Sequence, residues 1–355
     1  MPHPVPTTPP EDLARELGVS REAVDLYRAS DVIDLHLDAF IWTRVAGYDL
    51  HRAHGHGLFG RSFYSHTDFP RAVEAGLTGA IWSITTNPFK PARWRRDAFL
   101  KNLPRLVAEI ERSDGALTLV RSAADYRAAR EAGSHGAFIG VQGGNALDFD
   151  LDDFDRFDAT TLIRVTLVHL TDSTLGTTSA PSPFRGSRAS LSDRGRAYIE
   201  RLDEKKILLD LAHISRPGFF EAVDAHDTAL PLVVTHTGVD AVHPHWRNVT
   251  DEQIRAVADL GGTIGVMLQQ SFLGRGAVGP STVVDHVAHI VELVGEDHAS
   301  IGSDFDGMIV PPPTLSTPRA YPRLVDEMLR RGWSDTRVRK ILGENFLRVV
   351  EALRG

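Results

Sequence analysis

Apolar and β-branched residues recur along this chain in short blocks separated by longer amphipathic stretches. Eight blocks read as strands: VIDLH (32–36), GAIWSIT (79–85), HGAFIGVQ (135–142), TLIRVTLVHL (161–170), KILLDLAH (206–213), LPLVVTH (230–236), GTIGVML (262–268) and HASIGSD (298–304). Most are apolar on both faces, as expected of parallel strands covered by helices. Between them, LSDRGRAYIERLDEK (191–205), TDEQIRAVADLG (250–261) and STVVDHVAHIVELVG (281–295) read as helices. Thr250 and Gln253 have the spacing of a capping box, and Gly261 and Gly295 stand where helix C-terminal glycines belong.

Eight strands alternating with helices predict a single-domain α/β protein, a (β/α)8 TIM-type barrel with loop insertions. The barrel occupies residues 31–355, after an N-terminal tail and helix at 1–30. A doubly wound open sheet is the alternative, but no Gly-rich phosphate loop follows any strand. A further run, ALTLVRS (116–122), reads as an accessory strand outside the eight. Region 41–68 is a long insertion after the first strand, and 171–190 a Ser/Thr/Pro/Gly-rich loop after the fourth. Loops at the carboxyl ends of barrel strands shape the substrate pocket.

Chemistry-bearing residues collect at those same ends. His36 and Asp38 form an HxD pair after the first strand; Gln142, His169, His213, His236 and Asp304 close later ones. Residues two apart on a strand point the same way, so His36 and Asp38 can reach one ion. A lone histidine is most often a hydrogen-bonded structural residue, and a lone aspartate a cap or turn residue. Four histidines and two aspartates on one rim read instead as a metal site, because imidazole and carboxylate are the ligands of zinc and related ions. Arg247, in HPHWRNVTDEQ, can grip a substrate carboxylate or pair with the nearby helix cap. His51, His54 and His56 read as a loop, His243 and His245 as wall or surface, and Asp148, Asp150, Asp152, Asp153 and Asp155 as a solvated helix start.

Composition removes several functions. The 355 residues carry a formal charge of −8 with no basic block, which disfavours nucleic acid or an anionic membrane as partner. There is no cysteine, hence no thiol nucleophile, disulfide or Cys-ligated zinc. No GxSxG elbow is present. The start lacks a signal-peptide core, no segment is apolar enough to span a bilayer, and a cytoplasmic protein is the expectation.

The stretches DLHLDAF, FIGVQGGNALD, LTLVHL, LDLAHIS, VVTHTGVDAVHPHWRNVTDEQ, IGSDFDG and ILGENFLRVVEAL resemble, in order, those of the membrane (renal) dipeptidase family, a branch of the amidohydrolase-like barrels. The resemblance implies a two-zinc barrel that hydrolyses dipeptides, and suggests a homodimer. By that likeness His36 and Asp38 bind one ion and His213 and His236 the other. His169 binds the substrate carbonyl and steadies its oxyanion, Arg247 grips the terminal carboxylate, and Asp304 shuttles the proton.

The sequence departs from the family at a decisive place. The family's GVEGG is GVQGG here, putting Gln142 where a glutamate bridges both ions. An amide has one good acceptor oxygen and no charge, so it bridges cations poorly. Two divalent ions bring four positive charges against three negative ones from Asp38, the bridging glutamate and hydroxide; with Gln142 only two oppose them. One or two zinc ions are therefore expected, the second poorly held. Asn145 also replaces a usual histidine, and LQQSF replaces a Tyr-bearing pocket segment. Three functions follow: a dipeptidase or amidase with an altered metal site, a hydrolase of acylated or D-amino acids, or a non-catalytic descendant that binds a small ligand or supports a partner.

Overall fold

The computed structural model describes residues 7–55, 62–181 and 190–355. Among them are nine strands: β1 Ile33–Leu37, β2 Gly79–Thr85, β3 Leu117–Leu119, β4 His135–Gln142, β5 Leu162–Thr166, β6 Leu208–Asp210, β7 Val233–Thr237, β8 Thr263–Val266 and β9 Ala299–Ile301. All pair in parallel, in the order β1-β2-β4-β5-β6-β7-β8-β9. This is the eight-strand, nearly closed TIM-like barrel that the alternation predicts, and β3, paired only with β4, is the accessory strand.

The ring is drawn together at its carboxyl end. Leu37 bridges Phe305, the Asp38 N–H donates to Phe305 O at 2.9 Å, and the Asp304 N–H donates to His36 O at 3.2 Å. These bonds carry the HxD pair of β1 to the end of the chain's last strand.

Strand register arranges the interior in rows. Ser83, Gly140 and Arg164 are level on β2, β4 and β5. One row nearer the rim lie Thr85, Gln142, Thr166 and Asp210, level from β2 to β6. Polar side chains fill these rows, whereas Leu, Ile, Val and Phe fill the space between strands and helices.

Several strands end earlier than their apolar blocks. The block at 161–170 yields only Leu162–Thr166, 206–213 only Leu208–Asp210, and 298–304 only Ala299–Ile301. His213 (φ 69°) and Asp304 (φ 62°), three residues past β6 and β9, take left-handed backbone conformations. The predicted helices appear as Asp193–Glu204, Asp251–Asp259 and Pro280–Val294. Thr250 and Gln253 form their capping box, and Gly261 and Gly295 adopt positive φ. The region read as an insertion opens with a helix, Ala39–Val45. Its later part is pinned by Asp306, whose carboxylate accepts from the His66 and Thr67 N–H groups at 3.0 and 2.9 Å.

The residues before β1 hold two helices, Pro10–Leu17 and Arg21–Ala29. They pack on the barrel through Leu26 and Tyr27, and the Ser20 N–H donates to Asp326 at 2.7 Å. No helix among the described residues is long and apolar enough to cross a membrane.

Candidate metal centre

Seven sequence-predicted residues meet at the carboxyl end of the barrel. The His36 Nε2 lies 3.5 Å from Asp38 Oδ2 and 3.6 Å from Asp304 Oδ1. His36 stacks on His236 with ring centroids 4.1 Å apart. His213 meets His236 edge-on at 4.9 Å, and His169 meets His213 at 4.8 Å. The Nε2 atoms of His213 and His236 are 2.8 Å apart, and the Gln142 amide nitrogen is 3.4 Å from each. Ligand atoms of His36, His236 and Asp304 all lie within 4.8 Å of one another. Left-handed backbone at His213 and Asp304 turns both side chains inward, a strain that concentrates at functional sites.

The layer beneath sets the orientation of these groups. Asp210 accepts from Thr166 Oγ1 at 2.5 Å, from Thr235 Oγ1 at 2.6 Å and from the Ala212 and Thr235 N–H groups at 3.0 Å. A carboxylate only accepts, so the Thr235 hydroxyl proton is committed to Asp210. Thr235 Oγ1 is also 2.9 Å from His236 Nδ1, and at that contact it must accept. His236 therefore carries its proton on Nδ1 and presents the Nε2 lone pair to the rim. This is the tautomer a metal ligand needs, fixed by a neighbour as metal-ligating histidines are. Asp38 is steadied by the Thr85 hydroxyl, which donates to Oδ1 at 2.9 Å.

Electrostatics favour neutral imidazoles and a protonated acid. Burial pushes His36, His213 and His236 below the ordinary histidine range. His169, partly exposed at the mouth, is lowered to about 4, chiefly by desolvation. Burial, and then the charge of Asp38, push Asp304 well above the usual carboxylate range, while Arg247 pulls the other way. Arg247 is lowered to about 10 by burial, opposed by Asp304 and Asp210, and so stays cationic at neutral pH. Its Nη2 donates to His236 O at 2.7 Å, and its buried Nε has no hydrogen-bond partner. Among the described residues it makes no ion pair, so the helix-cap alternative is not realised.

The donor set fits a divalent cation: neutral imidazole nitrogens, two carboxylates and buried polar atoms without hydrogen-bond partners, His36 Nε2 and Gln142 Oε1. Gln142 lies where the spacing placed it but supplies no charge. Its two amide ends are interchangeable by rotation, so Oε1 can turn to the same pair of nitrogens.

Other candidates lie elsewhere. His51 bonds Glu109 at 3.1 Å and His54 bonds Asp49 O at 2.7 Å, away from the rim, and His56 lies outside the described residues. His245 stacks on Phe272 at 4.3 Å and accepts from the Arg247 N–H at 3.2 Å, which makes it loop wall. The acidic run is not simply solvated: Asp148 is buried and accepts from Arg95 Nη2 at 2.8 and 2.9 Å, and Asp153 is buried too. Asn145 is buried, its carbonyl accepting from Arg95 Nε at 2.7 Å. Gln269 and Gln270 of LQQSF bond the Val310 N–H at 2.6 Å and Pro311 O at 3.1 Å.

The sequence reading passed over the supporting layer: Ser83, Arg164, Thr166, Asp210 and Thr235. Arg164 carried a visible signal, a full charge inside an apolar strand block. It is fully buried.

Residues 20–354 match the family described as membrane dipeptidase, peptidase family M19. An uncharacterized protein in the pqqA 5′ region of Klebsiella pneumoniae is 31% identical over 267 residues, covering 73% of this chain and 94% of that protein. Among solved structures, the dipeptidase AC, a metallopeptidase of family M19, is 27% identical with a TM-score of 0.79, covering 91% of this chain and 98% of that one. A Rhodobacter sphaeroides metallopeptidase, liganded with a phosphinate mimic of L-Ala-D-Ala, is 26% identical with a TM-score of 0.79, covering 91% and 99%. The probable dipeptidase PvdM of Pseudomonas aeruginosa shares the fold at 18% identity and a TM-score of 0.83, covering 96% and 99%.

Proposed function

Because the chain belongs to the membrane dipeptidase family M19, we propose that it is a metal-dependent hydrolase of dipeptides or related small amides, with a metal site altered at Gln142. The observation that carries this reading is the inward convergence of His213, His236, Asp38 and Asp304, with the His236 lone pair fixed toward the rim. His36, Asp38, His213 and His236 would hold the metal, with the Gln142 oxygen able to join them. A bound ion would lower the pKa of a water molecule and polarise the scissile carbonyl.

The protein's own groups supply the rest. Arg247, cationic and without a carboxylate partner, faces the rim and receives the substrate's terminal carboxylate. His169, at the mouth beside His213, donates to the carbonyl oxygen as negative charge develops there. Asp304, ionised when a cation offsets the charge of Asp38, takes the proton from water, and because burial favours its acid form it holds that proton until it passes to the leaving amine. The mimic of L-Ala-D-Ala bound by the Rhodobacter sphaeroides relative supports a dipeptide-sized substrate and a D residue at its second position. Zinc is the ion that the imidazole and carboxylate donors favour.

One observation favours a second reading, binding without turnover: the neutral Gln142 leaves the ions one opposing charge short. Metal quantitation after dialysis, paired with a screen of L,L and L,D dipeptides, separates the two. Turnover with bound metal is expected, and Arg247→Ala should raise KM for free dipeptides at least tenfold more than for their C-terminal amides. Tight dipeptide binding without turnover would establish the second reading, and absence of both metal and turnover would remove the first.

A further inference from the structure

Two buried side chains tie the segment that carries Arg247 to the short helix Gln270–Leu273. Asn248 is one. Its Oδ1 accepts from the Gly238 N–H at 3.1 Å, and its Nδ2 donates to His243 O at 2.8 Å and to Phe272 O at 2.7 Å. Gly238 makes room for it, since a Cβ there would lie 2.5 Å from Asn248 Oδ1. The other is His286, on the helix Pro280–Val294. Its Nδ1 accepts from the Val239 N–H at 2.8 Å, and its Nε2 is 2.9 Å from Leu273 O. An amide N–H only donates and a carbonyl only accepts, so His286 is a neutral imidazole with its proton on Nε2. Burial favours that state, lowering His286 below the ordinary histidine range.

The segment from Gly238 to Val249 closes on itself. Val239 bridges Val249, the Val249 N–H donates to Gly238 O at 3.1 Å, and the Asp240 N–H donates to Val249 O at 2.9 Å. Whatever shifts Val239 therefore shifts Val249 and, two residues back, Arg247. The helix Gln270–Leu273 is in turn fastened to the segment after β9, which carries Asp304. The Gln270 N–H donates to Val310 O at 3.2 Å, and Gln269 Oε1 accepts from the Val310 N–H at 2.6 Å. One short helix thus joins the loop of Arg247 to the loop of Asp304, and His286 is a bolt between the first loop and that helix. A guanidinium meets a carboxylate along fixed directions, so an error of about 1 Å in its height weakens the pair severely.

We propose that His286 is a positioning residue for Arg247, acting from a helix outside the barrel to hold the guanidinium where a terminal carboxylate meets it. Both ring nitrogens are engaged by backbone, so His286 offers nothing to an ion or a substrate. Its removal leaves the Val239 N–H and Leu273 O buried without their partner and frees the base of the loop. Recognition of a free carboxylate then suffers, while contacts to the rest of the substrate persist. The inference rests on the reading of Arg247 as the group that receives the terminal carboxylate.

The test measures binding, independently of turnover. The full chain with zinc is titrated by calorimetry with the phosphinate mimic of L-Ala-D-Ala and with the same mimic amidated at its C-terminus. The parent should prefer the acid by about tenfold or more. His286→Leu should lose most of that preference, through a rise in Kd for the acid with that of the amide nearly unchanged. His286→Asn, whose Oδ1 takes the place of Nδ1 before the Val239 N–H, should recover most of it. His286→Gln, which reaches Leu273 O but leaves Val239 unpaired, should not. In an Arg247→Ala background His286→Leu should add nothing. Metal content should match the parent's in every variant, because no proposed ligand lies between Gly238 and Val249. Equal weakening of acid and amide, an added loss in the Arg247→Ala background, or a preference that survives in both His286→Leu and His286→Gln would overturn the inference and leave the role of Arg247 intact. A parent that binds both mimics alike, or neither, would remove that role and the inference with it. Should His286→Leu fail to fold, the contrast between His286→Asn and His286→Gln decides.

Discussion

His135, at the start of β4 and far along the strand from the rim, has both ring nitrogens engaged without any metal. Its Nδ1 is 2.8 Å from Leu77 O, which can only accept, and its Nε2 accepts from Trp82 Nε1 at 3.2 Å. A second proton would set two donors face to face in a dry site, and burial lowers this histidine to about 4. Since the folded value lies below that of the unfolded chain, the unfolded state binds the proton first as pH falls. The neutral contact thus stabilises the fold fully above about pH 6.5, and that stability is lost as pH falls toward 4. At about 1.4 kcal/mol per pH unit the loss is at most roughly 3.5 kcal/mol. Chemical denaturation across this window should give a shallower decline for His135→Gln than for the parent, and equal slopes would show that His135 is not the source. At this scale the HxD pair was legible because the two-residue strand period is local. Arg164 was equally visible, yet its meaning was not: the charge in an apolar strand gains a role only through the register that sets it level with Gly140 and Ser83.

The alternation of strand and helix was legible because each barrel strand is buried on both faces, and each of the eight blocks holds a strand. The strand ends were not. Past β6 and β9 the chain turns at His213 and Asp304, where contacts come from across the ring, such as Asp304 N–H to His36 O. The brief helix Ala39–Val45 was hidden in a stretch read as loop, since seven residues give little periodicity. Close packing at the barrel's end makes a sharper demand on sequence. At Gly302, just past β9, an added Cβ would lie 1.8 Å from Thr235 O and 3.2 Å from Leu35 Cβ. Neither contact can yield without moving β7 or β1. Gly302→Ala should therefore cost at least the about 1–3 kcal/mol typical of overpacking, and it should also disturb His236, the next residue along β7 from Thr235. A thermal midpoint and metal content both equal to the parent's would mean that the strands separate more readily than their spacing implies.

A ring of strands converts ion binding into stability of the whole molecule. Asp38 follows β1, Gln142 ends β4, His213 follows β6, His236 lies on β7 and Asp304 follows β9, so one ion at the rim joins segments from opposite sides of the barrel. The unfolded chain holds these residues far apart in sequence and offers no comparable site. An ion bound only by the folded state adds stability that grows with the logarithm of its concentration, about 2.7 kcal/mol at a hundredfold excess over Kd. Removal of metal by a chelator should lower Tm, and zinc added back should restore it and raise it further with concentration. The distribution among variants tests the origin of the effect. His236→Ala, which deletes the imidazole whose lone pair is held toward the rim, should abolish the zinc dependence of Tm. Arg247→Ala should retain it, since a guanidinium has no lone pair to offer and repels the cation. Arg164→Met should lose stability without zinc, because the His36 Nδ1 and the Ser83 hydroxyl lose their donor inside the barrel, and zinc should recover part of the loss. A Tm indifferent to chelator and zinc in the unaltered chain would mean that the rim does not clamp the barrel through a cation.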